Sequence, residues 1–148
     1  MNNPLISIIT INFNNLKGLK KTMQSVAEQT YPEIEYIVID GNSTDGSAEY
    51  LETYTGTLQY WVSEPDSGIF NAMNKGIKKA SGAYLLFLNS GDVLTATKAL
   101  SSFVRHQKFE GDIVYGDYKF EGGGVKQYPD TVTPLFFLKS SLPHQSTL

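Results

Sequence analysis

No cysteine occurs among the 148 residues, which excludes disulfides, thiolate metal sites and a cysteine nucleophile and permits a reducing compartment. Long apolar runs are missing as well. The opening stretch MNNPLISIITINFNN has no basic flank, and Ser7 and Thr10 interrupt it, so neither a signal peptide nor a membrane span is predicted and the cytoplasm is the expected location. No block of Lys or Arg exceeds the pairs Lys20-Lys21 and Lys78-Lys79, and the net charge is -3, so nucleic acid is not an expected partner. A small anionic ligand stays open, provided helix N-termini or a bound cation supply the positive potential that side chains lack. Neither the dinucleotide fingerprint nor the Walker loop occurs, and no serine sits in a nucleophile elbow. Hydride transfer, ATP hydrolysis and serine hydrolysis thereby lose their usual anchors.

What is present argues for one folded domain over residues 1–148. Nine Tyr, eight Phe and one Trp give the chain enough surface to bury against the entropy of ordering. Leu5 to Phe13 is nearly continuous in apolar residues, the pattern of a parallel strand covered on both faces. Leu16, Leu19, Met23 and Val26 then form the stripe of a helix, with Asn14 or Asn15 as cap. Tyr36 to Ile39 is a second strand ending at Asp40, and a strand, helix and strand over this length form a right-handed parallel crossover. A short helix follows GNSTDGS with Ser43 or Asp45 as cap, then LQYWV as a third strand. GIFNAMNKGIKKAS is a helix with Ile69, Phe70, Met73, Ile77 and Ala80 on one face, stopped by Gly82. AYLLFL is a fourth strand and ATKALSSFVRHQ a helix with Leu100, Phe103 and Val104 inward. DIVYGDYKF and VKQY flank Glu121-Gly122-Gly123-Gly124 and read as a hairpin. The final HQSTL reads as the opening of a strand that the chain does not complete. The fold class is α/β, with a mostly parallel central sheet, helices on both faces and a hairpin towards the carboxyl end.

Ligands of such sheets bind beyond the carboxyl ends of the strands. There the first strand delivers Thr10, Asn12 and Asn14, the second Asp40, the third Glu64, Asp66, Ser67 and Gly68, and the fourth Asn89, Ser90, Gly91 and Asp92. Asp and Asn at strand ends often only cap the next helix or close their own turn, and Asp45 and Ser67 are assigned that role. Crowded carboxylates repel, by roughly 4 kcal/mol for two charges about 4 Å apart at an effective dielectric near 20, so a compensating cation or another function is expected. His106 reads as a solvated helix residue. His144 is either structural or a metal ligand. Trp61, Phe136 and Phe137 are assigned to packing.

The stretches ISIITINFNN, YIVIDGNSTDGS, SEPDSGIFNAMNKGIKKASGAYLLFLNSGD and DIVYGDY, in this order and spacing, resemble the family-two nucleotide-sugar glycosyltransferases. These are inverting enzymes with the A-type nucleotide-diphospho-sugar transferase (Rossmann-like) fold. The resemblance implies a sugar donor activated by a nucleoside diphosphate, a UDP-sugar first, and a glycan or lipid-linked sugar as acceptor in cell-surface polysaccharide synthesis. It implies a divalent metal, Mn or Mg, and peripheral contact of the full-length protein with the inner membrane face. Thr10 and Asn12 match positions lining the base pocket, and Asp40 the aspartate that bonds a uridine-type base. Asp66 matches a recurring acidic position of the donor site, with Asn74 and Lys75 beside it. NSGD stands at the metal motif: Asn89 where many members have a ribose-contacting aspartate, Gly91 in place of another acid, and Asp92 as the metal ligand, with His144 as its partner. The resemblance places the general base after the PHQ segment, so the chain is expected to stop short of base and acceptor site, with Asp66, Asp117 and Glu121 as substitutes. Asp40 and Asp92 are expected to face one shared hollow. The competing readings are a sugar-phosphate nucleotidyltransferase, whose basic Gly-rich loop INFNNLKG lacks, and a non-catalytic nucleotide-binding module.

Overall fold

The computed structural model of the chain describes residues 3–106, 109, 111–137 and 139–148. Its centre is a four-stranded parallel sheet in the order β3-β2-β1-β4, built from β1 (Ile6–Asn12), β2 (Ile34–Asp40), β3 (Tyr60–Ser63) and β4 (Tyr84–Phe87). β1 lies in the middle, pairing Ile6 with Ile34 on one side and with Tyr84 on the other. All seven of its residues are buried, which explains why its sequence does not alternate between apolar and polar.

Alternate residues feed two cores. Ile6, Ile8, Tyr36 and Val38 face one side, where they meet Leu19, Met23 and Val26 of α1 (Leu16–Ala27), Leu51 of α2 (Ser47–Thr53) and Leu100 of α4 (Ala99–Val104). Ile9, Ile11, Ile37 and Ile39 face the other, under Ala72 of α3 (Ile69–Lys79). Each fully buried aliphatic side chain contributes about 1.5–3 kcal/mol. The helices therefore cover both faces, as the sequence implies. The chain winds outward from β1 to β3 on one face and returns through α3 on the other to reach β4, so the winding reverses between β1 and β4. Such a switch point opens a crevice at the carboxyl edge.

Several details differ from the expectation, although the hairpin itself is present. The inward face of α3 is Ala72, Gly76 and, partly, Met73 and Ala80, whereas Ile69, Phe70 and Ile77 are exposed. The reason is close approach: a methyl at Gly76 would run into Ile9 Cγ2, so α3 lies flat on the sheet along its smallest residues. β3 starts at Tyr60 and includes Ser63, and α4 is limited to Ala99–Val104; Gln107, in the expected helix, lies outside the described residues. The hairpin is reduced to β5 (Tyr118–Lys119) against β6 (Val125–Lys126). Residues 114–116 pair instead with the last residues: Val114 exchanges hydrogen bonds of 2.8 and 2.7 Å with Leu148, and Gly116 N–H donates to Ser146 O at 2.8 Å. HQS forms a 3-10 turn, so the HQSTL segment does find a strand partner, within the chain. A one-turn helix, α5 (Pro134–Phe137), precedes it. Trp61 packs against the first core, as assigned, whereas Phe137 is half exposed.

Candidate donor-binding site

The carboxyl edge of the sheet is a continuous run of hydrogen bonds. Asp40, at the end of β2, has no exposure, and its carboxylate takes four: from Asn12 Nδ2 at 2.7 Å and Ser43 Oγ at 2.6 Å on one oxygen, and from Ser43 N–H at 2.9 Å and Ser63 Oγ at 2.6 Å on the other. Burial pushes this carboxyl up, but the donors of Ser43, Ser63 and Asn12 outweigh it and hold Asp40 below the usual carboxylate range. Four acceptor sites are what a carboxylate has. A nucleotide base would reach Asp40 by displacing one of these donors, and the two serine hydroxyls are the ones able to rotate away. The sequence reading passed over Ser63 and took Ser43 only as a helix cap; twenty positions apart on different segments, the two serines leave no signal along the chain.

The neighbouring turn is tied down similarly. Asn14 (φ 48) and Asn42 (φ 64) adopt the left-handed conformation that asparagine tolerates. Asn14 N–H donates to Ser43 Oγ at 2.8 Å, and Thr44 N–H to Asn14 Oδ1 at 2.8 Å. Asp45 accepts from Leu16 N–H at 2.7 Å and from Ser47, serving the starts of two helices; the Ser47 hydroxyl and these amides lower its carboxyl. Asn15, not Asn14, caps α1, accepting from Gly18 N–H.

Asp66 holds the turn before α3 through Gly68 N–H at 2.9 Å, and its second oxygen lies over Gly41, beside which the ring of Phe13 also stands. Phe13 is 67% exposed. An aromatic face open to water at the tip of the central strand is a stacking platform, and the sequence reading missed it by counting the residue into the strand. Lys75 is bound to Glu64 (2.9 Å) and to Pro65 O (2.8 Å), and Asn74 is exposed on α3. Thr10 sits beneath the edge, fully buried, with its hydroxyl 3.0 Å from the Tyr36 hydroxyl. It supports β1 from inside and presents no surface to a ligand.

At the end of β4 the NSGD turn closes on itself. Asn89 N–H donates to Asp92 Oδ2 at 3.0 Å, and Asn89 Nδ2 lies 3.0 Å from His144 Nε2, so Asp92 and His144 flank the same asparagine. Gly91 has φ 111, a conformation that an acid in its place would adopt only under strain. The turn geometry accounts for the missing carboxylate. Among the described residues, three buried polar atoms have no hydrogen-bond partner: Asn12 Oδ1 at the end of β1, and Asn89 Oδ1 and Ser90 Oγ in the turn after β4. Buried polar atoms left unpaired cost about 1–3 kcal/mol each, a cost that a bound water or ligand relieves.

Among the described residues no group of three or more His, Cys, Asp or Glu could hold a metal ion. Hydroxyl or amide donors serve each of the carboxylates Asp40, Asp45, Asp66 and Asp92. Asp92 and His144 are a two-donor set that fits a hard divalent ion only together with phosphate oxygens. Asp92 also borders a cavity of about 790 Å3 that runs to Tyr118 and Phe120 over a floor of Leu86, Leu88 and Leu148. That cavity touches neither Asp40 nor Asp66; Asp40 ends β2 and Asp92 follows β4, on the same sheet edge with β1 between them. Of the substitute bases, Asp117 accepts from Tyr128 N–H at 2.9 Å, and Glu121 is paired with Lys21 at 2.8 Å, which lowers its carboxyl. Among the described residues no helix is long and apolar enough to cross a membrane.

Known proteins resemble this chain in sequence and in fold. An uncharacterized glycosyltransferase of Mycobacterium tuberculosis is 43% identical over 111 residues, covering 74% of this chain and 42% of that protein. The putative teichuronic acid biosynthesis glycosyltransferase TuaG of Bacillus subtilis is 36% identical over 92 residues, 60% of this chain and 36% of its own length. The chain thus spans less than half the length of these relatives. The structure of Staphylococcus aureus TarS in complex with UDP-GlcNAc superposes with a TM-score of 0.68 at 26% identity, over 83% of this chain and 37% of that one. Residues 7–146 match the profile described as Glycosyl transferase family 2, and the chain therefore belongs to that family.

Proposed function

We propose that the chain forms the donor-binding part of an inverting glycosyltransferase of cell-surface polysaccharide synthesis, using a nucleoside diphosphate sugar, a UDP-sugar first, and a hydroxyl of a glycan or lipid-linked sugar as acceptor. The observation that carries the reading is the trio of unpaired buried atoms at the switch point, Asn12 Oδ1, Asn89 Oδ1 and Ser90 Oγ, in a chain of this family. TarS, crystallised with UDP-GlcNAc, and the teichuronic acid name of the B. subtilis relative support the donor and the pathway.

In this reading Phe13 stacks on the base, whose polar edge exchanges with Ser63 at Asp40 and meets Asn12. Asn89 and Ser90 take ribose or diphosphate hydroxyls and oxygens, and Asp66, Asn74 and Lys75 border the sugar side. Asp92, with His144, would hold Mn or Mg jointly with the diphosphate; when bound, the ion offsets the charge that develops on the leaving diphosphate. The chain's own part is to fix the nucleotide in one pose, so that the anomeric carbon is presented to an acceptor from the opposite side. Calorimetric titration of the chain with UDP and GDP, with and without Mn, tests this: UDP binding that requires Mn and is lost in Asp92→Ala is expected. Absence of nucleoside diphosphate binding at millimolar concentration with Mn would refute it.

A further inference from the structure

We propose that Thr22 is the positioning residue of the NSGD turn, and that the polar stripe of α1 is the template that gives the turn its shape. The inference rests on the donor-site reading above. Thr22 and Ser25, three apart, share one side of α1, with Asn15 at its N-cap and Gln29 just beyond its C-cap. Each bonds the main chain of the segment after β4, and they do so in order. Asn15 Nδ2 donates to Ser90 O at 2.8 Å, Ser25 Oγ accepts from Leu94 N–H at 3.2 Å, and Gln29 donates to Ala96 O at 2.8 Å and accepts from Leu100 N–H at 3.2 Å. Thr30 N–H extends the series to Thr97 O at 2.8 Å.

Thr22 is the tooth under the turn itself. Its hydroxyl, fully buried, accepts from Gly91 N–H at 2.9 Å. Its single hydrogen has three carbonyls within reach, Asp92 O at 2.8 Å, Gly18 O at 3.1 Å and Asn89 O at 3.3 Å, and the shortest is that of Asp92. A threonine inside a helix ordinarily returns its hydrogen to the carbonyl four residues back. Here that bond is shared with the backbone on both sides of the Gly91–Asp92 peptide. Gly91 has φ 111 and lacks any side chain to anchor it, so the turn that carries Asp92 is held from below by the Thr22 hydroxyl, while Asn89 holds the Asp92 amide and carboxylate from within the turn. Two roles are to be separated: general support of the helix against the sheet, and placement of Asp92 for the metal-diphosphate pair.

The experiment compares Thr22→Val, which keeps the shape without the hydroxyl, Thr22→Ser, which keeps the hydroxyl, and Glu35→Gln, at the opposite end of the sheet, as a stability control. Mn-dependent UDP affinity is expected to fall about tenfold or more in Thr22→Val, as for outer-shell partners of metal ligands. Thr22→Ser should remain within about twofold of the parent chain, and Glu35→Gln should lower the unfolding midpoint without moving the affinity. Should Thr22→Val fail to fold, Thr22→Ala carries the same expectation. Affinity in Thr22→Val equal to that of the parent chain would overturn the proposal. If the parent chain binds no nucleotide with Mn, the donor-site reading fails on its own. Amide hydrogen exchange then judges the template separately: the Gly91 amide must exchange faster in Thr22→Val, and unchanged exchange overturns the proposal.

Discussion

Replacing Asp40 with asparagine removes a buried charge that four donors converge on. The asparagine oxygen keeps two acceptor sites, while its NH2 group points hydrogens at donors. Ser63 and Ser43 can rotate their hydroxyls to accept, but Ser43 N–H cannot turn away. The Ser43 N–H contact is lost, at about 1.5–3 kcal/mol for a bond to a charged group, so the cost at neutral pH is about 1.5–3 kcal/mol. That is a large fraction of the roughly 5–15 kcal/mol a domain has. Urea unfolding followed by Trp61 fluorescence reads the difference. Its pH dependence has a definite sign. Folding lowers the Asp40 pKa, so the ionised carboxylate contributes stability that is fully present above its ordinary value of 3.8 and is lost as pH falls through the lower folded value. Asparagine does not titrate, and the other carboxylates are common to both chains, so the gap narrows below about pH 4. A second arm uses Ser63→Ala, which costs about 1 kcal/mol alone and should cost much less in the Asp40→Asn background. A penalty below about 1 kcal/mol at pH 7, or a gap that stays constant to pH 3, refutes the reasoning.

Gly76→Ala drives a methyl into Ile9 and should cost about 1–3 kcal/mol, with Ile9→Ala offsetting part of that loss in the double variant; midpoints of thermal unfolding decide it. Glu35 gathers the Ser7 hydroxyl and both the N–H and hydroxyl of Ser81 (2.8 and 2.7 Å) at the amino edge of the sheet. Burial pushes its carboxyl up, the donors outweigh it, and the net shift is downward. Glu35→Gln is expected to lose about 1–3 kcal/mol in denaturant titration at pH 7, and a neutral result would show the clamp to be idle. Asn89→Asp sets a second carboxylate beside Asp92 and His144; Mn affinity measured with UDP present should rise about tenfold, and a fall would show that this turn does not face the metal.

The succession of strands and helices was legible in the chain because apolar residues recur at the spacing each element needs. The crossover rule then turned that succession into a parallel sheet. The polar residues at strand ends were legible for the same reason: a strand buried on both faces has nowhere but its ends to place Asn12, Asp40 or Asp92. The face of α3 was not, because Ile69, Phe70 and Ile77 look like a core stripe to any count of hydrophobicity, and only the contact of Gly76 with Ile9 shows that the smallest residues turn inward. The burial of Thr10 against the Tyr36 hydroxyl was not legible either, because Tyr36 lies on another strand.

By itself the sequence determined the α/β class, the edge at which chemistry is possible and the family pattern, since these depend on composition and on spacing along the chain. Only the tertiary structure decided how each carboxylate is satisfied, that Ser43 and Ser63 close around Asp40, that α1 holds the turn of Asp92, and that Asn12, Asn89 and Ser90 each bury an unpaired polar atom. Hydrogen bonds are short and directional, and these join residues dozens of positions apart, so no local pattern records them.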